Sequence, residues 1–577
     1  MTDDRDSPVP VVGSPTATES PRPSSRWLAS RRARLLVGWA LAALTTLVAL
    51  VNQRDVGIAR DEATYIRAGA RYAAWWRGLV TLEHGAGEAG ITSVFGGPNG
   101  GGNNPEHPPL VKTLVGLSAW LFHDKLGVDE LTADRIPNAL FDGLLVVLVY
   151  FMVLAVWGFP EAVLAGLLVL LLPRALFHAS IACFDGPITT LWFASVYAYW
   201  RALDGRKWPW QVGVVFGLAL ATKHNAVLLP FALLVHYVVV AVRRAPRPLR
   251  LVDIVGFRWR VAASFLVVSP LVLVAVWPWL WLDPIGHIRS WLSFHATHVH
   301  YNFEYLGTNW NHPRFPWHVA LVTTLFTVPV ATIVAALPGF GLWIKQRWDR
   351  EHAPGLLLVL SSIASIGPFF LGTTPIFGAE KHWGPAIPTL CIAGAIGAVW
   401  AAREAAGALP RIGERVAIAV VGMAIVGACV VETVTAEPYA LTWYNALAGG
   451  APGGADLGMN RQFWGVAARG VVDVIRQQPK GAVYTHDASL AWGFYEKFGL
   501  VPPGNRDAGE HPTGDGTWIA PGVTGSRTAI VIHEKHFNRH DYLIWKAYGT
   551  VRPIAVLRSD GVPIVSVYAR PERAAAP

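Results

Sequence analysis

Residues 58–71 read IARDEATYIRAGAR and closely follow an apolar segment near 34–52. They place two adjacent acids, Asp61 and Glu62, where a predicted membrane helix meets water. Carboxylates are costly to hold at such a boundary, so the pair is a candidate functional site. The alternative is an acidic pair in the first turn of a helix over 62–76, where it would favour the helix dipole. On a helix the two side chains point about 100° apart, which allows one to act as a general base while the other holds an Arg or Lys.

The composition is that of a polytopic membrane protein. Of 577 residues, 53% are hydrophobic and 15% are charged, against about 25% charged in soluble domains. The mean hydropathy is +0.36. Three cysteines in or beside apolar segments exclude a disulfide framework and a Cys-based zinc motif. The net charge of +9 arises from Arg and Lys in short loops, where they set topology, so it does not imply a nucleic-acid partner.

Eleven apolar segments are predicted to span the membrane. They lie near 34–52, 137–157, 160–178, 187–203, 209–222, 225–242, 260–281, 317–343, 354–372, 383–402 and 414–434. A twelfth candidate, 108–123, is only about 16 residues long and contains Lys112, whereas a span needs about 20 residues. Basic loops fall on the cytoplasmic side only if 108–123 does not span, so we expect an interfacial helix there.

This topology predicts three regions. Residues 1–30 form a disordered cytoplasmic tail, 31–435 a transmembrane domain with outer loops 53–136 and 282–316, and 436–577 an outward-facing α/β domain. The predicted strands of that domain are 481–486, 528–534 and 563–569. The glycine-rich stretch 84–104 is either a flexible flap or an inert linker.

A second polar cluster, Glu106-His107-Pro108-Pro109-Leu110-Val111-Lys112, precedes the interfacial helix. Pro-Pro favours a helix start, and the helix N-terminus attracts anions. Lys112 lies one turn into that helix, so a phosphate there could meet both the dipole and an ammonium. The alternative is a helix-start signal with an acidic cap.

Further polar residues stand at the ends of other apolar segments. Asp185 precedes a span in FDGP and could equally be a helix N-cap. Arg135, in DRIPNAL, could bind phosphate or anchor its helix at the interface. Lys223-His224 and Lys381-His382 are short polar turns that could clamp phosphate or serve as snorkelling anchors. The histidine-rich loop 287–318 could bind a metal, or it could be a hydrated interface loop.

Together these motifs resemble the C-type membrane glycosyltransferases, in particular the protein O-mannosyltransferase family, with the lipid A aminoarabinose transferases as relatives. The resembling features occur in family order over 34–240: the Asp61-Glu62 pair, His107 to Lys112, Arg135 and Asp185. The resemblance is looser at 312–321. The inserted β-trefoil domain of eukaryotic members is absent, because the 282–316 loop is too short for it.

The resemblance implies inverting transfer of a sugar, with mannose as one candidate, from a polyprenyl-phosphate donor to a hydroxyl group of a protein, lipid or glycan. Asp61 would be the general base, and Glu62 would position the acceptor or an arginine. The donor phosphate would be held by Lys112, Arg135, His107 and Lys381. Glu106 and Asp185 would be the ligands if a divalent metal is bound, as in the lipid A branch. The implied location is a bacterial inner membrane.

Two other functions are compatible with a polytopic chain of this kind. A transporter or lipid-carrier flippase would place charges at mid-membrane in two related halves, which the sequence does not show. A non-catalytic assembly protein would not need the loop acids.

Overall fold

The structure is a computed structural model. It describes residues 30–96, 104–205, 208–345, 352–409, 411–485, 487–509, 521–534 and 539–571. The predicted tail 1–30 lies outside the described residues except for Ser30, and so does 97–103 of the glycine-rich stretch.

Each of the eleven predicted apolar segments contains helix. By length and composition alone, seven helical segments qualify as membrane spans: Arg31–Asn52, Glu130–Val156, His224–Arg244, Trp259–Val276, Pro354–Leu371, Gly384–Ala408 and Glu414–Ala436. Two helix pairs qualify if each counts as one bent span: Phe159–Leu170 with Pro173–Ala179, and Val319–Thr327 with Val330–Lys345. The remaining two predicted segments correspond to Asp185–Ala202 and Trp210–Leu220. The predicted helical, polytopic architecture of the apolar region is confirmed, while the number of eleven spans stays a prediction.

The loop after the first span contains three helices. They are Arg60–Val80, Glu88–Phe95 and Leu110–Ser118, the last continuing as a π-helix over Ala119–Lys125. The first and third cross at glycines. A Cβ on Gly69 would lie 2.4 Å from the carbonyl oxygen of Lys112, and a Cβ on Gly116 would lie 2.0 Å from that of Gly69. Side chains at this crossing would force the helices apart, so the two glycines fix the depth at which Lys112 is buried.

Shorter helices connect the long ones. The α-helical segments are Leu251–Gly256, Trp279–Leu282, Pro284–Ala296, Gly450–Asp456, Val472–Arg476, Ser489–Lys497, Pro521–Gly525 and Arg539–Tyr548. Short 3-10 turns occur at Ala379–His382, Ala446–Ala448 and Val466–Val471. A hairpin of Phe303–Tyr305 with Thr308–Trp310, which the sequence did not predict, lies in the histidine-rich loop.

The C-terminal region contains a four-stranded mixed sheet. In spatial order its strands are Val483–Thr485, Thr528–Ile532, Val562–Ala569 and Ala555–Ser559. The first pair is parallel and the other two pairs are antiparallel. The predicted small α/β region is therefore confirmed, with one strand, Ala555–Ser559, that the sequence analysis missed. The exact domain boundaries stay predictions.

Candidate functional site

Glu62 and Arg135 form a buried ion pair at one end of the helical bundle. Arg135 is 1% exposed and Glu62 is fully buried. Arg135 donates from Nε to Oε1 of Glu62 at 2.8 Å and from Nη2 to Oε2 at 2.9 Å. Its remaining donors bind the carbonyl oxygens of Gln53, Val56 and Gly57 at 2.8 to 3.1 Å. All five N–H groups of the guanidinium are thus engaged.

The carboxylate of Glu62 is equally saturated. It also accepts hydrogen bonds from the main-chain N–H of Ala59 at 3.0 Å and of Ala182 at 2.7 Å. Ala182 belongs to the turn that leads to Asp185. Glu62 therefore fastens the helix that carries Asp61 to the turn that carries Asp185. In this arrangement Arg135 has no donor left for a phosphate, so its geometry does not support the phosphate-binding role suggested by the sequence.

Lys112 is likewise fully buried and surrounded by acceptors. Its ammonium donates to the carbonyl and side-chain oxygens of Asn104 at 2.6 and 3.1 Å and to the carbonyl oxygen of His107 at 2.8 Å. The Tyr72 hydroxyl lies 3.3 Å away. Burial lowers the pKa of Lys112 to about 7. Lys112 thus holds the Asn104–His107 turn in place, and no donor of its ammonium points to open space.

Asp61, in contrast, keeps part of its carboxylate accessible. Its side chain is 31% exposed. Oδ2 accepts a hydrogen bond from the indole N–H of Trp464 at 2.7 Å, while Oδ1 has only a long contact of 3.5 Å to Nε of Arg60. The other end of the Arg60 guanidinium pairs with Asp487 at 2.6 Å. Asp487 raises the pKa of Arg60, so this arginine stays charged.

A second buried ion pair joins Asp185 to Lys223. Nζ of Lys223 is 2.6 Å from Oδ1 of Asp185, and both side chains are 8% exposed. The same ammonium lies 3.5 Å from the carbonyl oxygen of Lys381. Asp185 begins the helix Asp185–Ala202, Lys223 lies in the turn after Trp210–Leu220, and Lys381 belongs to the 3-10 turn Ala379–His382. The structure therefore brings Asp185, Lys223 and Lys381 together.

Lys381 has a different environment from Lys112. Among the described residues its ammonium meets aromatic rings rather than a carboxylate partner: Trp464 at 4.0 Å, Phe377 at 5.1 Å and Phe463 at 5.5 Å from the ring centroids. Burial lowers the pKa of Lys381, and the charges of Asp61 and Asp185 act in the opposite direction. Lys381 is thus a buried cation that interacts electrostatically with Asp61 and Asp185 and forms an ion pair with neither.

A cavity of about 60 Å³ opens next to these groups. The ionisable residues in its lining are Asp142, Arg174, His178, Asp185, Glu380 and Lys381. Arg174 and Glu380 pair at 2.6 Å, yet Nε of Arg174, Oε1 of Glu380 and Nε2 of His178 have no hydrogen-bond partner within the described part of the chain. Buried polar atoms of this kind are usually satisfied by water or by a ligand.

Glu106, one of the two predicted metal ligands, does not belong to a group of three or more possible ligands among the described residues, so its role as a ligand stays a prediction. Oε1 of Glu106 accepts a hydrogen bond from Asn104 at 2.6 Å. Across the described ranges, the group with metal-ligand spacing is instead His178, Cys183 and Asp185, whose ligand atoms lie within 4.8 Å of one another. The ammonium of Lys223 already contacts the Asp185 carboxylate, and a cation there would repel a second one. These residues as arranged do not fit a divalent ion, and no chemical step below uses one.

His107 lies at the edge of the site. Its ring is 5.3 Å from that of Phe184, 5.4 Å from that of His295 and 6.3 Å from that of Tyr65, between centroids. Burial lowers the pKa of His107 well below its usual value, so its imidazole is neutral at pH 7. A neutral ring can donate one hydrogen bond to a ligand but offers it no charge.

Sequence reasoning missed three residues that the structure places in the candidate site. Arg174 and His178 lie inside a predicted span, in PRALFHA, and an ionisable residue inside a membrane segment was a usable signal. No comparable feature of the sequence indicated Trp464, which lies 403 positions after Asp61.

The motif-bearing part of the chain matches a known family. Residues 106–280 match the model for dolichyl-phosphate-mannose-protein mannosyltransferases. No curated protein matches the sequence. The family match covers the motifs from Glu106 to Asp185 and confirms the resemblance predicted from them.

Solved structures share the fold at low sequence identity. ArnT from Cupriavidus metallidurans in the apo state is 14% identical with a TM-score of 0.50, covering 94% of this chain and 98% of that one. The same protein bound to undecaprenyl phosphate is 15% identical with a TM-score of 0.49, covering 92% of this chain and 97% of that one. The oligosaccharyltransferase AglB from Archaeoglobus fulgidus, in complex with an inhibitory peptide and a dolichol-phosphate, is 12% identical with a TM-score of 0.48. The match covers 89% of this chain and 71% of that one. The apo-state match supports the C-type fold over nearly the full chain.

Proposed function

We propose that this protein, an integral membrane glycosyltransferase of the C-type fold, transfers a sugar from a polyprenyl-phosphate donor to a hydroxyl acceptor, with Asp61 as the general base. The observation that carries the proposal is the contrast within the site. Asp61 is an accessible carboxylate held at one oxygen, and Lys381 is a buried, carboxylate-free cation beside it. A general base and a binding site for a departing anion are the two elements that such a transfer needs.

The chemical step is a displacement at the anomeric carbon. The acceptor oxygen forms a bond to that carbon as the bond between the carbon and the phosphate oxygen breaks. The acceptor proton passes to Oδ1 of Asp61, and polyprenyl phosphate leaves with the bonding electron pair. Attack opposite to the leaving group inverts the anomeric configuration.

Cations near the leaving phosphate stabilise the charge that develops on it. Lys381 fits this role because its ammonium is desolvated and has no carboxylate partner among the residues that the structure describes. Lys223 can contribute because it lies within reach of the Lys381 main chain, although it also neutralises Asp185. Lys112 and Arg135 act differently: they hold the turn and the helix that shape the site.

The polar atoms without partners, on residues that line the cavity, can form hydrogen bonds with the hydroxyl groups of the donor sugar. Arg174, His178 and Glu380 offer donors and acceptors there, as sugar recognition requires. Mannose is the sugar suggested by the matched family. The acceptor is a protein, lipid or glycan. The predicted topology places the reaction on the outer face of a bacterial inner membrane, with the N-terminus inside and the C-terminal domain outside.

The test is a transfer assay in proteoliposomes with purified protein. The substrates are radiolabelled mannosyl, glucosyl and arabinosyl polyprenyl phosphates, and membrane protein, lipid and glycan fractions serve as acceptors. We expect label to enter one acceptor fraction and polyprenyl phosphate to be released in equal amount.

Asp61→Asn should lower the transfer rate by about 10²–10⁴-fold, because the base is lost while size and shape remain. The matched control is Asp55→Asn, which removes an exposed carboxylate from the same loop and should leave the rate unchanged. Transfer that persists in Asp61→Asn at the level of the control would overturn the mechanism. Movement of unmodified donor across the bilayer without transfer would favour a flippase.

A further inference from the structure

The C-terminal region reaches into the site through one side chain. Trp464 is 3% exposed and packs in the same hydrophobic cluster as residues of the first-loop helix Arg60–Val80. Its indole N–H donates to Oδ2 of Asp61 at 2.7 Å, and its carbonyl oxygen accepts from the N–H of Arg60 at 2.9 Å. The same residue thus binds both the side chain and the backbone at the start of the helix that carries the base.

The segment that carries Trp464 is fixed to the C-terminal sheet. The side-chain amide of Gln462 donates a hydrogen bond to the carbonyl oxygen of Ile564 at 2.7 Å. The main-chain N–H of Arg461 donates to the carbonyl oxygen of Glu534, also at 2.7 Å. Ile564 belongs to strand Val562–Ala569. The backbone that carries the indole is therefore anchored to the sheet.

The backbone at this point is held in an unfavourable conformation. Trp464 has φ +71°, in the left-handed region that bulky residues rarely adopt, and Gly465 follows with φ +73°. A Cβ on Gly465 would lie 2.5 Å from the carbonyl oxygen of Asp487. Strain of this kind persists only where the surrounding structure enforces it, and it is concentrated at functional sites.

The ring of Trp464 completes the environment of the base. Lys381 lies over one face at 4.0 Å from the centroid, and His178 meets the ring edge-on at 5.7 Å. Among the described residues, the charged or titratable groups that interact with Asp61 include Arg60, Lys381 and Tyr65. Asp185, Lys223, Asp487 and Glu534 lie one partner further away.

We propose that Trp464 is a positioning residue for the general base: its N–H holds Oδ2 so that Oδ1 faces the acceptor hydroxyl, which makes the C-terminal domain part of the active site. This rests on the proposed function of Asp61. A hydrogen bond from a neutral donor fixes the orientation of the carboxylate and lowers its basicity only slightly. An arginine or lysine in the same place would lower its basicity, so tryptophan suits a base.

The first variant is Trp464→Phe, which keeps an aromatic ring over Lys381 and removes the N–H. We expect kcat to fall by about 10–100-fold, the size of effect that losing one hydrogen bond to a charged group produces, with KM for the donor within twofold. The acid limb of the pH–rate profile should move to higher pH, since the ionised carboxylate loses a hydrogen bond. A purely structural role would change neither the limb nor the ratio of kcat to KM in this way.

The matched control is Trp492→Phe. Trp492 lies in the same region, is fully buried and donates its N–H to the carbonyl oxygen of Asn505 at 2.7 Å. It should show the stability change expected for a lost buried hydrogen bond and an unchanged pH profile.

A second variant guards against misfolding of the phenylalanine protein. Replacement of Trp464 by 3-benzothienylalanine keeps the bicyclic shape and exchanges the N–H for sulfur. It should reproduce the loss in kcat with an unchanged melting temperature. If it is as active as the wild type, the proposal is overturned. If Asp61→Asn is itself active, the proposed function fails, whereas an inactive Asp61→Asn with a fully active benzothienyl variant removes only the role of Trp464.

Discussion

Two neighbouring carboxylates show how differently one chain can use the same chemistry. Glu62 is fully buried and receives two main-chain N–H groups and a bidentate guanidinium. Asp61, one residue earlier, is partly exposed and receives one indole N–H, with a long contact to Arg60. A carboxylate with every lone pair engaged cannot take a proton from a substrate, whereas one held at a single oxygen can. The saturated acid builds the site and the unsaturated one is free to react.

The largest effect should follow from opening the Glu62–Arg135 pair. Arg135→Ala leaves a buried carboxylate without its cation, which costs about 3–5 kcal/mol of folding free energy. Arg135→Lys should not restore it, because three donors cannot replace five in fixed directions. Thermal unfolding in detergent, followed by tryptophan fluorescence, measures both.

Asp61→Asn is the matched comparison for that experiment. It should change the free energy of unfolding by no more than about 0.5 kcal/mol, because the side chain is partly exposed and asparagine keeps an oxygen that can accept the Trp464 N–H. Equal destabilisation by the two variants would remove the distinction between the two acids.

The Asp185–Lys223 pair tests an intermediate case, since it is buried but borders the cavity. Lys223→Gln should cost about 1–3 kcal/mol through the unpaired carboxylate and should also lower the transfer rate. Adding Asp185→Asn should recover stability without recovering activity. That pattern in a double-mutant cycle separates the structural from the chemical contribution. Full recovery of activity would show that the pair is only structural.

Removing the carboxylate-free cation should affect binding more than folding. Lys381→Met keeps the aliphatic stem against the aromatic rings, and we expect KM for the donor to rise about tenfold, which corresponds to about 1.4 kcal/mol. The matched control is Lys497→Met, whose side chain is 52% exposed and pairs with Glu130. An unchanged donor KM would exclude Lys381 as a phosphate ligand.

The smallest predicted effect concerns Glu437, which follows the helix Glu414–Ala436. Burial raises the pKa of Glu437 to about 7, and Asn52 donates to its Oε2 at 2.9 Å. Between about pH 4.5 and 7 the folded carboxyl keeps a proton that the unfolded one has lost, so stability falls as pH rises through this window. Glu437→Gln should therefore be more stable than the wild type at pH 8 by about 1 kcal/mol and equal to it at pH 4. Melting curves at the two pH values decide this, and an equal gain at both would contradict it.

Much of the architecture followed from hydropathy alone. Apolar segments separated by short basic loops predicted the helices, and alternating apolar residues predicted three of the four strands of the C-terminal sheet. The bends within 159–179 and 319–345, of 68° and 118°, were not predicted, because each pair of helices together is long and apolar enough to resemble one straight span.

The contacts within the site were harder to predict, because the charged residues can be paired in many ways. A sequence shows which residues carry charge but not which charges neutralise each other. Lys112 and Arg135 have the charge that a phosphate needs, yet in the fold their donors are taken by main-chain oxygens and by Glu62. The pairing of Glu62 with an arginine was one of the roles that its position on the helix allowed. The choice of Arg135 as that partner depends on the turn before Asp185, which only the tertiary structure reveals.

The bond from Trp464 to Asp61 also affects when the protein can work. During synthesis Asp61 leaves the ribosome 403 residues ahead of its indole partner. A nascent chain that has inserted its helices but lacks the C-terminal sheet would carry the acid in an unset orientation. Truncated or half-made copies would then be poor catalysts in a membrane full of donor lipid, and activity would begin only once the last-made part of the chain had folded.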